Sequence, residues 1–224
     1  YLNPKATEHH RIAEGRVDFR RLETLSDFER TELGLPHGWF RARPDACESY
    51  QPKYHLAWAI SLFRMRVRLV QDVSALIVMG GKEEDSWGRF SGIAEEVMLA
   101  LAMRKPVYLL GGCRGATAAV GMLLGLGPTI VNGEYCLHDP GPIAPVAFPL
   151  DGCFVLPGYP ALPQNVKELR GWLQERSFWT KSWPINGLSV EENRKLFHTP
   201  LPDPKQTDCV NLILSGLLRL DWQR

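Results

Sequence analysis

Two short apolar runs, 75–79 (ALIVM) and 107–110 (VYLL), each end on a glycine pair, Gly80-Gly81 and Gly111-Gly112. Continuous apolar runs of this length suit strands buried on both faces of a parallel sheet. After the first pair and a polar loop, KEEDSWGRF, the segment SGIAEEVMLALAMRK reads as a helix that starts at Ser91 or Gly92 and stops at Lys105-Pro106. After the second pair, GATAAVGMLLG opens another. Strand, glycine loop and helix, used twice in succession, predict an α/β fold: a Rossmann-like doubly wound parallel sheet flanked by helices.

The remaining segments fit around that unit. Residues 1–52 read as a helical and irregular part of the same domain, with a helical pattern from Phe19 to Leu33 stopped by Gly34, Pro36 and Gly38. Residues 53–224 form the core with its C-terminal helices. A helix is predicted over 54–73, carrying Arg64, Arg66 and Arg68, and three more over 164–176, 190–197 and 207–220. The Gly- and Pro-rich stretch after Gly127 reads as an irregular connection.

With 26 Lys+Arg against 25 Asp+Glu, the chain has no long-range field to hold a polyanion, so a nucleic-acid partner is not expected. No apolar run approaches the length of about 18 residues that spans a bilayer, so no membrane partner is expected either. The five cysteines are scattered without a C-x-x-C pair, and the six histidines show no metal-ligand spacing. Neither a resident cofactor nor a metal is implied, and a reducing cytoplasm is the expected setting. The apolar helix at 207–220 makes a homo-oligomer the expected state, and a purely oligomerising scaffold is one reading of it.

Glycine at a strand tip lets the chain turn tightly and lets a ligand approach the backbone without a Cβ in the way. Beside a helix N-terminus, where unpaired N–H groups and the helix dipole favour anions, such a tip can cradle phosphate or ribose. Gly80, Gly81, Gly111 and Gly112 are the candidate floor, although tight-turn chemistry alone also explains Gly-Gly. Neither loop is a Walker A or G-x-G-x-x-G sequence. Lys82, Arg89 and Arg114 can pair with phosphate, or simply carry solvated charge. Glu95, in the first turn of its helix, can cap backbone N–H groups, accept ribose hydroxyls or act as an acid or base. Glu96 points about 100° away. Trp87 could stack on a base, and Cys113 reads as a small filler.

These residues resemble a known family. The stretch 66–115 is similar to the SLOG superfamily, the Rossmann-like group that includes the Lonely Guy cytokinin-activating enzymes, and more closely to its prokaryotic branch related to the N-terminal domain of TRPM channels. The matching motifs are Met65-Arg66, Met79-Gly80-Gly81, the stretch from Gly88 through Gly92 and Ile93 to Glu95-Glu96, and Leu110-Gly111-Gly112-Cys113-Arg114-Gly115. The likeness extends to NGLSVEENRKLFHT and the last helix. It implies an opening strand before residue 1. It also implies a sensor of nucleotides or NAD-derived signals, such as ADP-ribose and its cyclic forms, fused to or associated with an effector in antiviral defence. A related SLOG domain of the Thoeris defence system binds a cyclic ADP-ribose isomer. By position, Gly80, Gly81, Lys82, Arg89, Ser91, Gly92 and Glu95 would line one side of the pocket, and Gly111, Gly112, Arg114 and Gly115 the other. The alternative is a Lonely Guy-like hydrolase of nucleoside 5'-monophosphates with Arg66 and Glu95 as catalytic residues. Against it, the stretch 90–95 lacks the Gly-Thr that closes over phosphate in those enzymes.

Overall fold

The computed structural model describes residues 25–35, 52–83, 88–127, 153–176, 186–200 and 206–221. In chain order the elements are α1 (Asp27–Glu32), α2 (Pro52–Asp72), β1 (Leu76–Met79), α3 (Gly92–Ala102), β2 (Val107–Leu110), a 3-10 turn (Gly111–Cys113), α4 (Gly115–Leu123), α5 (Val166–Glu175), α6 (Val190–His198) and α7 (Gln206–Asp221). Both strands and every helix anticipated within these residues are present. Residues 128–152 of the irregular connection, most of residues 1–52 and Trp87 lie outside the described residues, and the rest of that connection, 153–160, is turn and irregular chain.

The helix ends follow from local chemistry. Ser26 and Ser189 open α1 and α6 with capping boxes closed by Glu29 and Glu192, Ser91 caps α3, and Asn165 caps α5. Helix α3 ends in a Schellman motif: Lys105 N donates to Ala100 O at 2.8 Å and Arg104 N to Leu101 O at 3.1 Å, with Pro106 barring continuation.

Strands β1 and β2 pair in parallel, Leu76 opposite Val107 and Met79 opposite Leu110, with α3 as the crossover. One face of the pair, Leu76, Val78, Val107 and Leu109, joins the main core with α2, α3 and α4. On the other face Tyr108 and Leu110 pack with Leu188, Leu196, Cys209 and Ile213 from the α6–α7 side. Helices therefore lie on both faces of this α/β unit, the layering of a Rossmann-like fold. Helix α3 is apolar on almost every side because it is buried nearly all round. Of the charged side chains on α3, Glu95 is the fully buried one. None of the described helices is long and apolar enough to cross a membrane.

Candidate functional site

The loop that enters α3 is built around the guanidinium of Arg66, delivered from α2. A Cβ on Gly88 would stand 2.9 Å from Arg66 Nη1, and a Cβ on Gly92 would stand 2.9 Å from Nη2, so a larger residue at either position would push the guanidinium aside. Arg66 Nη1 donates to Glu95 Oε2 at 2.5 Å, and Nε lies 3.7 Å from Glu96 Oε1. Ser91, itself buried, accepts from Ala94 N at 3.4 Å, and Glu95 N donates to Ser91 O at 3.0 Å. The first turn of α3 thus holds Glu95 against Arg66.

Arg89 completes the cluster. It is 94% buried, and its Nη1 donates to Gln164 Oε1 at 3.0 Å. Burial lowers its pKa to about 10 against the opposing pull of Glu95 and Glu168. Burial likewise raises the pKa of Glu95, outweighing Arg66 and Arg89, and raises that of Glu96. Within this cluster four buried polar atoms have no hydrogen-bond partner: Arg66 Nε, which keeps only its longer contact with Glu96, Arg89 Nε, Arg89 Nη2 and Glu95 Oε1. Each such atom costs about 1–3 kcal/mol when unsatisfied. Three donors to one acceptor is the complement of a ligand richer in anionic oxygens than in hydroxyls.

The two glycine loops are neighbours. Ala116 N donates to Gly81 O at 3.1 Å and Thr117 N to Gly80 O at 2.9 Å. The approach is close enough that a Cβ on Gly115, whose φ is +66°, would fall 2.3 Å from Gly81 O. The first-turn amides of α4 are therefore turned toward the first loop. Gly111 and Gly112 face α6 and the residues after it: a Cβ on Gly111 would lie 2.2 Å from the Phe197 ring, and one on Gly112 would lie 1.9 Å from Thr199 O. Gly80 is open, with nothing within 4 Å of its Cβ position. Lys82 and Arg114 are exposed, Arg114 at the N-cap of α4 with φ +58° and ψ −154°.

Of the residues singled out in the sequence, Arg89, Ser91, Gly92 and Glu95 gather with Arg66 at the start of α3. Gly80, Gly81 and Gly115 meet at the junction of the loops, and Gly111 and Gly112 pack on the end of α6. Gln164, Phe154, Phe63 and Gly88 also shape the cluster and were not among the candidate site residues. The spacing of Gly88 and Gly92 around Arg89 is a local signal for Gly88. Gln164 lies 75 residues from Arg89, and no local pattern marks it. Among the described residues no group of His, Cys, Asp and Glu is placed to hold a metal, and Cys113 and Cys209 are free thiols.

A parallel strand pair with glycine loops and helices on both faces defines an α/β protein, with the arginine–glutamate pair on the crossover helix between the two strands. Within that class the chain belongs to the SLOG superfamily: the model of the family described as SLOG cluster2 matches residues 6–196. That membership makes it a nucleotide-related domain. No curated protein and no solved structure matches the chain significantly.

Proposed function

We propose that the chain is a regulatory domain that binds a nucleotide or NAD-derived signal of the ADP-ribose type, with an anionic group of the ligand at the start of α3. The observation that carries this reading is the buried Arg66–Glu95–Arg89 cluster, whose unpartnered nitrogens outnumber its unpartnered oxygen. Phosphate oxygens would satisfy the guanidinium N–H groups, and the N-terminus of α3 would add its dipole. Glu95 Oε1 would accept a sugar hydroxyl. Gly80, Gly81, Lys82, Gly111, Gly112, Arg114 and Gly115 complete the proposed lining by family resemblance. The TRPM-related branch, a fused or associated effector and a role in prokaryotic antiviral defence rest on that resemblance too, whereas homo-oligomeric assembly rests on the apolar last helix and a cytoplasmic setting on the scattered cysteines.

A second reading, hydrolysis of the N-glycosidic bond of nucleoside 5'-monophosphates, is favoured by the direct contact of Arg66 with Glu95. There Glu95, with its raised pKa, would carry the proton that moves as the base departs.

Melting of the chain with ADP-ribose, cyclic ADP-ribose and AMP, together with chromatography of the AMP mixture, separates the two. A sensor melts higher with a signal nucleotide that is recovered intact. A hydrolase releases adenine from AMP and stops doing so as Glu95→Gln. No change in melting and no adenine would end both readings.

A further inference from the structure

Arg89 reaches away from the glycine loop as well as into it. Its guanidinium carbon lies 4.4 Å from the ring centre of Phe154, 4.8 Å from Phe90 and 5.5 Å from Phe63. The Phe63 and Phe154 rings meet edge-on at 5.4 Å. Through Nη1 it grips Gln164, the residue before the N-cap of α5. Gln164 is itself fixed: its N donates to Glu168 Oε2 at 2.7 Å and its Nε2 to Leu162 O at 2.7 Å. Asn165 closes the cap, with Glu168 N donating to its Oδ1 at 2.9 Å. One guanidinium therefore ties the loop at 88–92 to the capping apparatus of a helix far along the chain.

The grip is chemically modest. Guanidinium groups bond best to anions, two N–H groups at a time. Arg89 makes one bond to a neutral amide oxygen, leaves Nε and Nη2 without acceptors, and rests in a cage whose aromatic faces attract the cation but accept no ordinary hydrogen bond. An anion brought to the loop would be a better partner than Gln164.

We propose that Arg89 couples the site to α5: an anionic group held at the loop takes the Nη1–Nη2 pair of the guanidinium, Nη1 lets go of Gln164, and the α5 cap with the Phe154 segment loosens. This rests on the reading that the loop binds an anionic ligand. It gives a sensor domain a moving part, since the anion favours the state in which Arg89 has left Gln164.

The sign of one mutation separates coupling from simple support. In Gln164→Ala the competitor for Arg89 is gone, so the binding-competent state is more populated and the ligand binds more tightly. A residue that merely shapes the site would weaken binding when removed. Arg89→Leu keeps an apolar side chain among the phenylalanines and loses the coupling.

The experiment combines hydrogen exchange over residues 153–176 with calorimetric titration, using ADP-ribose as the probe on the whole chain. In the wild type, ADP-ribose should speed exchange in the first turn of α5 by about threefold or more. Gln164→Ala should exchange faster without the probe and bind it about three- to tenfold more tightly. Arg89→Leu should bind more weakly and show no probe-dependent change over 153–176. Binding to the wild type without a change in exchange there overturns the coupling alone. So does a Gln164→Ala variant that exchanges like the wild type, or that binds no more tightly. Failure of the wild type to bind ADP-ribose at all removes this proposal together with the choice of ligand.

Discussion

Arg66 Nη1 meets Glu95 Oε2 at 2.5 Å inside the protein, where Glu95 has no exposed surface. A buried pair adds little net stability over an apolar pair, but removing one partner leaves a charge stranded. Arg66→Met is therefore expected to cost about 3–5 kcal/mol in chemical denaturation, and Arg66→Met combined with Glu95→Leu to recover much of that loss. Equal losses in the single and double variants would contradict the pairing.

Glycines of the two loops should respond unequally. A Cβ on Gly112 would meet Thr199 O at 1.9 Å and Pro200 Cα at 3.0 Å, backbone that has little freedom to give way. Gly80→Ala meets open space and pays for its φ of +62° alone, about 1–2 kcal/mol. Gly112→Ala should reach or pass the upper end of the roughly 1–3 kcal/mol typical of overpacking. Denaturation midpoints in the reverse order would show that the second loop is not closed by the residues after α6.

Two arginines occupy positive φ, Arg104 at +56° and Arg114 at +58°. Arg104 sits where a helix C-terminus favours glycine. Arg114 combines its φ with a ψ of −154°, a region almost restricted to glycine. Arg104→Gly and Arg114→Gly should each raise stability, Arg114→Gly by about 1–3 kcal/mol. If the Arg114 side chain also serves the ligand, that variant gains melting temperature and loses affinity together. A melting temperature lowered in both variants would contradict the strain.

Acid should weaken two helix junctions. Glu29, bonded to Arg64 across α1 and α2, and Glu192, bonded to Arg219 at 2.6 and 2.9 Å across α6 and α7, are both held at a pKa of about 2. The arginine hydrogen bonds are the largest cause in each. Folded values below the ordinary 4.5 mean that the stabilisation is present above pH 4.5 and drains away as pH falls toward 2. Glu95 works in the opposite sense, because its raised pKa makes its contribution largest at low pH and smaller as pH rises through the folded value. Denaturation midpoints between pH 6 and 3 should fall less steeply in Glu192→Gln than in the wild type. Parallel slopes would contradict the assignment.

The described helices and both strands were legible because their signals are local: apolar runs of four or five residues, serine and asparagine caps, and glycine or proline stops. Arg66 and Glu95 could be named as a possible pair, but their contact depends on α2 crossing α3, which no periodicity states. The glycine pairs looked alike in sequence. The structure separates them, because Phe197 and Thr199, more than 80 positions beyond Gly111, close on the second. Arg89 read as a loop cation, and its enclosure by Phe63, Phe90 and Phe154 arises from segments separated in the chain. Burial and long-range partners, rather than residue type, decide what such side chains do.

The central claim is that a nucleotide's anionic group sits at the start of α3, and amide NMR during titration of the whole chain with ADP-ribose tests it most directly. The account predicts saturable shifts concentrated in the backbone amides of Gly88 through Glu95 and in the Arg66 and Arg89 Nε–H signals. Saturable shifts that leave these residues untouched, or no shifts with ADP-ribose, cyclic ADP-ribose or AMP, would contradict it.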